Sequence, residues 1–236
     1  MTCFRTRLAA ASISLATAMV AHGQFFEGFD SGLPFAEAAA APGVSVTLAS
    51  GDWHILNLSD PIGFTSVFQG SPFVFPAYEG PEDSYAAMNY FSGGAAGANL
   101  SVFFMSPVST FDNGDVITFH TRTTDNPATW PDRLRLVLST AGASTDAADF
   151  SNVLLTINES LSTTGYPAAW TEYSVTLSGL AGPTSGRFAF HYDVPNGGPG
   201  SVNSNYVGID SVSFVPAPGV AAVLGLTGLL ARRRRR

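Results

Sequence analysis

Apolar and polar residues alternate along most of the chain between residues 44 and 214, which is the period of a β-strand with one buried face. Leu134, Leu136 and Leu138 would share one face of a strand, and Arg133 and Arg135 the other. Gly, Pro, Asn, Asp and Ser separate such runs, and helical periodicity is nearly absent. The pattern predicts strands at residues 44–49, 52–58, 85–91, 98–105, 115–123, 132–139, 151–157, 170–177, 186–192 and 205–214.

Short strands separated by turns are typical of a β-sandwich or a β-barrel. The 18 phenylalanines can fill a core without disulfides. No internal repeat and no long linker divides residues 24–214. We therefore expect an all-β fold, a jelly-roll β-sandwich that forms a single domain over residues 24–214.

The N-terminus has the pattern of a secretory signal. Arg5 and Arg7 precede an apolar segment at residues 8–21, and small residues at positions 21 and 23 predict cleavage before Gln24. Residues 1–23 are therefore predicted to be a signal peptide, with an uncleaved N-terminal anchor as the alternative.

The C-terminus combines an uncharged, mostly apolar stretch at residues 214–231 with five terminal arginines. Eighteen residues are close to the shortest length that spans a bilayer. Arginines at only one end predict that this end is cytoplasmic and that the domain is exported. Membrane contact is expected only through this C-terminal helix, before processing.

This layout resembles the PEP-CTERM family of bacterial sorting signals, with residues 215–236 as its three parts. Ala217 stands where the usual motif has Glu. The resemblance implies a sorting protease that cleaves near the motif and transfers the protein to the cell surface or an extracellular matrix. The matching positions are Pro216, Pro218 and Gly219 of the motif and Arg232, Arg233 and Arg234 of the arginine cluster.

An ordered set of segments in the domain is similar to the choice-of-anchor J family, which is related to cleaved-adhesin and MAM-like modules. The resemblance implies a jelly-roll sandwich, often calcium-bearing, that serves as a surface or secreted interaction module. The segments are residues 26–30, 113–122, 132–139, 166–173, 186–192 and 206–212.

Composition excludes several classes of protein. The single cysteine, Cys3, lies in the predicted signal, so neither a disulfide framework nor a cysteine zinc site is expected. The basic residues are all arginine, and residues 24–217 keep four of them against all 18 acids, a net charge of −14. Such a charge argues against nucleic acid and suits calcium, cationic partners or solubility.

Calcium is the expected cofactor, in a structural role. Glu27 lies in the first strand and Asp210 in the last, and jelly rolls bring these two strands together. Carboxylates suit calcium, and the resemblance points to the same two positions, with Asp30 as an additional ligand. Ordinary turn or edge acids are the alternative interpretation.

Four arginines and one tryptophan are candidates for ligand binding. Arg122, Arg133, Arg135 and Arg187 all lie on predicted strands, and if those strands are neighbours they form a basic patch for acidic polysaccharides. The alternative is cross-strand pairing with Asp and Glu. Trp130 lies in a Pro-containing loop and is expected to be exposed, where it could stack on sugars.

No motif of a hydrolase, zinc protease or P-loop enzyme occurs in the sequence, and no catalytic residue is predicted. We expect a non-catalytic module that binds carbohydrate or serves as an adhesive or structural matrix component. A polysaccharide hydrolase with a carboxylate pair and a purely structural coat protein are the alternatives.

Overall fold

The computed structural model describes residues 23–35, 43–125 and 129–218. Within these residues the chain forms thirteen strands and two one-turn 3₁₀ helices, Tyr90–Ser92 and Ala147–Asp149. The strands are β1 (Phe25–Glu27), β2 (Val44–Leu48), β3 (Gly51–Asn57), β4 (Phe68–Gln69), β5 (Ala86–Asn89), β6 (Ala98–Met105), β7 (Ser109–Phe111), β8 (Val116–Thr123), β9 (Leu134–Ser139), β10 (Asn152–Ile157), β11 (Thr171–Thr176), β12 (Thr184–Gly197) and β13 (Tyr206–Val215).

Two antiparallel sheets face each other, which confirms the predicted all-β sandwich. One sheet has the order β11-β8-β13-β5-β4, with β1 also paired to β13. The other has the order β10-β9-β12-β6-β3-β2, with β7 also paired to β12. Successive strands such as β8 and β9, or β12 and β13, belong to different sheets, so the chain repeatedly crosses from one layer to the other.

The core between the sheets is built from the apolar faces of the alternating strands. Phe188, Phe190 and Tyr192 of β12 are fully buried, as their spacing predicts. Trp53 lies at the centre, where its ring stacks on Phe104 with centroids 4.4 Å apart. Burying an aromatic side chain of this size removes a large apolar area from water, so these rings supply much of the stability.

A second aromatic cluster covers the outer face of the β13 sheet. Phe75 comes from the segment between β4 and β5, and its ring contacts Tyr85, Trp170 and Tyr206. Gly208 of β13 lies beneath this cluster, where an added Cβ would come within 2.8 Å of the rings of Phe75 and Trp170. The outer face is thus a small core of its own, which holds residues 70–84 against the sheet.

The ends of the domain meet at one end of the sandwich. Phe25 of β1 pairs with Phe214 of β13, which confirms that the first and last strands are neighbours. Residues 1–22 of the predicted signal peptide and residues 219–236 of the predicted sorting signal lie outside the described residues. Across the three described ranges, none of the helices has the length and apolar character that crossing a bilayer requires.

Candidate functional site: an aromatic cleft at the far end of the sandwich

A cleft of about 370 Å³ opens at the end of the sandwich where β5 and β12 stop and β13 begins. Its location follows from the register, because Asn89, the last residue of β5, pairs with Tyr206, the first of β13. The lining residues are Tyr90, Trp130, Gly198, Gly200, Ser201, Ser204 and Asn205. Two aromatic rings, small residues and uncharged polar groups thus form the walls.

Trp130 lies in the cleft with 44% of its surface exposed, in agreement with the exposure that its loop predicted. The adjacent residue is held in place, because the Ser204 amide donates to the carbonyl oxygen of Pro131 at 3.0 Å. The indole is therefore presented from a fixed backbone.

Asp132, two residues after Trp130, holds the cleft residue Asn205 in place. The carboxylate is fully buried and accepts hydrogen bonds from the Tyr192 hydroxyl at 2.6 Å, the Thr123 hydroxyl at 2.7 Å and the Asn205 amide at 2.7 Å. Burial raises the pKa of Asp132, and these hydrogen bonds oppose the rise. One side chain thus joins β8, β12 and the segment that enters β13, and the sequence pattern gave no indication of it.

Tyr90 is the second aromatic residue that lines the cleft. The Asn89 side chain accepts from the Phe91 amide at 2.9 Å and so caps the short 3₁₀ helix that contains Tyr90. The Tyr90 amide donates to the Asn205 carbonyl at 3.0 Å, which ties the helix to the start of β13. Sequence reasoning missed Tyr90, which lies 40 residues from Trp130 and meets it only through strand pairing.

Gly198 lines the cleft at a position that only glycine can occupy without a backbone shift. Gly198 has φ of +90°, and a Cβ there would lie 2.0 Å from the carbonyl oxygen of Ala95. Its amide donates to the Ser204 hydroxyl at 2.9 Å. The Gly-rich segment after β12 therefore has a defined conformation set by close backbone approach.

Three polar groups of the lining are available to a ligand. Within the described part of the chain, the Tyr90 hydroxyl, the Trp130 Nε1 and the Asn205 Oδ1 have no hydrogen-bond partner in the protein. They belong to side chains that line the same cleft. The cleft can therefore offer a ligand both apolar ring faces and hydrogen bonds.

The four candidate arginines are not brought together in one patch. Arg122 is on β8 in one sheet, where its guanidinium lies 4.4 Å from the Phe75 ring centroid and pairs with Asp125. Arg133, Arg135 and Arg187 belong to the other sheet or its margin. A patch of all four arginines was expected only if their strands were neighbours. It does not form, because the chain crosses to the other sheet after β8.

The other arginines have partners within the protein. Arg133 and Arg135 both bond Asp193, at 2.9 and 3.1 Å, and both lie within 4 Å of Glu159. Arg187 donates to the carbonyl oxygens of Ser106 and Asp52, and burial lowers its pKa. The contacts of Arg133 and Arg135 with Asp193 are the cross-strand pairing that was the alternative interpretation, whereas Arg187 bonds main-chain oxygens.

The expected calcium ligands contact different parts of the chain. Buried Glu27 accepts from the amides of Phe29 and Ser50 and from the Ser50 hydroxyl, at 2.7–3.0 Å. Buried Asp210 accepts from the amides of Tyr78, Glu79 and Ser211 at 2.6–3.2 Å. Burial raises the pKa of Asp210 to about 6.

No described group of three or more His, Cys, Asp or Glu side chains is arranged to hold a metal ion. Asp30 is exposed on the turn that follows β1. N–H donors contact both buried carboxylates, and an ion bound by Glu27 and Asp210 stays a prediction. The role proposed for these acids in calcium binding rests on the sequence alone.

A solved structure with the same fold is the K1 cleaved adhesin domain of Lys-gingipain from Porphyromonas gingivalis W83. It is 17% identical, with a TM-score of 0.53, and the match covers 83% of this chain and 99% of that one. The module TmCBM61 in complex with β-1,4-galactotriose matches 70% of this chain and 88% of its own at 9% identity and a TM-score of 0.41. No protein-family model and no curated protein matches the chain. The likeness to the K1 domain shows a shared β-sandwich fold.

Proposed function

We propose that this protein is an exported, surface-anchored, non-catalytic module that binds carbohydrate in the cleft formed by Trp130 and Tyr90. The observation that carries the proposal is that one cleft is lined by two aromatic rings and by uncharged side chains, three of whose polar groups have no partner among the described residues. Apolar walls with a few placed polar groups are the usual form of a small-molecule site.

Carbohydrate is the ligand class that fits such a lining. A sugar ring has an apolar C–H face that packs on an aromatic ring, and hydroxyls at its edge that exchange hydrogen bonds with polar groups. Trp and Tyr combine a large apolar face with a polar tip, so each can serve both parts of the ligand. The volume of about 370 Å³ accommodates a sugar unit or two.

The cleft supports binding rather than hydrolysis. Glycoside hydrolysis requires two carboxyl groups that flank the bond, and none of the described lining side chains is a carboxylate. Asp132, whose carboxylate bonds the Asn205 amide, is buried and accepts hydrogen bonds from three donors. The hydrolase alternative has no support from this geometry.

The position of the cleft agrees with attachment through the C-terminus. β13 begins next to Asn205 in the cleft and ends at Val215, just before the predicted sorting motif. Ten strand residues span about 33 Å. A protein tethered beyond Pro218 would therefore present its cleft on the side away from the tether.

A glycan array with purified protein tests the binding function. The wild type is compared with Trp130→Ala, and with Phe73→Ala, which removes an almost fully exposed ring outside the cleft. We expect glycan signals from the wild type and Phe73→Ala and their loss in Trp130→Ala. Absence of signals from the wild type, or equal signals from all three proteins, would contradict the proposal.

A further inference from the structure

Aromatic side chains, two half-buried and one exposed, continue from the cleft onto the neighbouring surface. Tyr90 in the cleft wall contacts Phe91, with ring centroids 4.2 Å apart, and Phe91 contacts Phe64 at 4.8 Å. Phe64 is 55% exposed. We call Phe64, Phe91 and Tyr90 the aromatic strip. Each ring of the strip contacts the next, and Tyr90 also lines the cleft, so the strip and the cleft form one continuous surface.

Hydrogen bonds fix the backbone on both sides of the strip. The amides of Gly63 and Phe64 donate to the carbonyls of Ser92 and Phe91, at 2.9 and 3.0 Å. The buried side chain of Asn57 donates to the carbonyls of Thr65 and Ser92 at 2.9 and 3.1 Å. The segment that carries Phe64 is thus held against the 3₁₀ helix.

Glycine at position 63 allows this close approach. A Cβ on Gly63 would lie 2.0 Å from the Phe91 carbonyl oxygen. No other residue could bring Phe64 to its ring partner without a backbone shift. The strip is therefore preorganised, and a ligand that uses it would lose little free energy in ordering these rings.

Aromatic rings that touch one another and are all at least partly open to solvent are unusual on a soluble surface, where large apolar side chains are commonly scattered. Ile62 lies beside the strip and is also exposed. The strip therefore has the character of a binding surface that extends the cleft.

The charge around this surface selects against an anionic ligand. No lining side chain of the cleft and no member of the strip is charged. The domain as a whole has a net charge of −14 over residues 24–217. Arg133 and Arg135 could attract acidic sugars, but both are paired with Asp193 and neither lines the cleft. Electrostatics thus favours a neutral glycan.

We infer that the cleft and the aromatic strip together bind an extended stretch of a neutral polysaccharide, with Phe64 as a second stacking position. This inference rests on the proposed carbohydrate-binding function. It adds that the ligand is uncharged and that affinity grows with the number of sugar units, because a short oligosaccharide reaches only the cleft.

Affinity gel electrophoresis tests the charge of the ligand. The gels contain a neutral polymer (xyloglucan, β-1,4-galactan, galactomannan or dextran) or an anionic one (alginate or polygalacturonate). We expect retardation of the protein by at least one neutral polymer. Retardation by anionic polymers alone would overturn the inference while leaving carbohydrate binding intact. Retardation by none of them would count against the proposed function itself, and against this inference with it.

Oligosaccharides of two to six units, cut from the retarding polymer, then test the second position by calorimetry. We expect the wild type to bind the hexamer about tenfold more tightly than the dimer, which corresponds to one added stacking contact of about 1.4 kcal/mol. In Phe64→Ala the hexamer should bind only as tightly as the dimer, while dimer affinity is unchanged.

Two variants separate stacking from a structural effect. Phe64→Tyr keeps an aromatic face and should retain the length dependence, whereas Phe64→Leu keeps apolar contact with Phe91 and should lose it. Melting temperatures verify that each variant folds. Equal length dependence in the wild type and Phe64→Ala, or a loss of affinity that is the same at every length, would overturn the second stacking position.

Discussion

Acid should destabilise this protein partly through His191, and the effect can be isolated in one variant. The imidazole of His191 on β12 stacks on Phe103 with centroids 3.9 Å apart, and its Nε2 lies 2.9 Å from the Ser101 hydroxyl. Burial lowers the pKa of His191 to about 4; Asp193 opposes the shift, and Arg135 and Arg133 add to it. The neutral ring is thus the form that the fold accommodates.

The sign and size of the effect follow from proton linkage. An unfolded histidine binds its proton near pH 6.5, so between pH 6.5 and 4 the unfolded chain holds a proton that folded His191 does not. The stabilising contribution is present above pH 6.5 and is lost as the pH falls toward 4. Between pH 7.5 and pH 4.5 the two pKa values give a loss of about 2–3 kcal/mol.

Urea unfolding of the wild type and His191→Gln at these two pH values measures the difference. Glutamine does not titrate, so the variant should lose about 2–3 kcal/mol less than the wild type on acidification. Asp210, whose raised pKa acts in the opposite direction, is present in both proteins and cancels. Equal losses in the two proteins would refute the reasoning, as would a proton titration of the His191 ring by NMR near pH 6.5.

Three further predictions concern the cleft, the metal and the tail. Gly198→Ala should destabilise the fold by several kcal/mol in urea unfolding and weaken glycan binding. Gly142→Ala, also at positive φ but with no atom within 4 Å of its Cβ, should cost only about 1–2 kcal/mol. Similar losses in the two variants would contradict a clash between the added Cβ at position 198 and the Ala95 carbonyl. If Glu27 and Asp210 hold calcium as the sequence predicts, EDTA should lower the melting temperature and added calcium should restore it; an unchanged melting temperature would contradict the calcium prediction. A chain that ends at Pro218 keeps the domain and loses the predicted anchor, so fractionation should find it in the medium; retention at the cell surface would contradict the sorting proposal.

Most strands could be predicted from the sequence because each is long enough to show alternation. Alternation does not reveal β1, β4 and β7, which have two or three residues and therefore too few positions for a period of two to be visible, although Glu27 was expected in a first strand. β12 extends to Gly197, beyond the predicted end at residue 192. It passes Pro195 through a shift of register between Val194 and Gly197, and proline is tolerated at such irregularities.

The grouping of side chains could be predicted only in part. Alternation indicates which side of a strand a residue takes, but not which sheet the strand joins. Arg122 and Arg133 are close in sequence, yet the chain changes sheets between β8 and β9 and separates them. Asp193, which pairs with Arg133 and Arg135, becomes their neighbour only through the antiparallel pairing of β9 and β12.

Local composition predicted one half of the cleft. Trp130 follows a Pro-containing loop, and that signal alone indicated exposure. Tyr90 and Asn205 meet it through the register of β5 with β13, which no local pattern contains. The adjacency of the first and last strands was predicted correctly, but Glu27 and Asp210 bond different segments.

Calorimetric titration of a neutral polysaccharide into the wild type, Trp130→Ala and the double variant Arg133→Ala/Arg135→Ala tests the central claim most directly. We predict that Trp130→Ala binds at least about tenfold more weakly, a change of about 1.4 kcal/mol, with its melting temperature unchanged. The arginine variant should bind as the wild type does, since its arginines contact acids of the protein. Unchanged affinity in Trp130→Ala together with a loss in the arginine variant would contradict the cleft as the binding site.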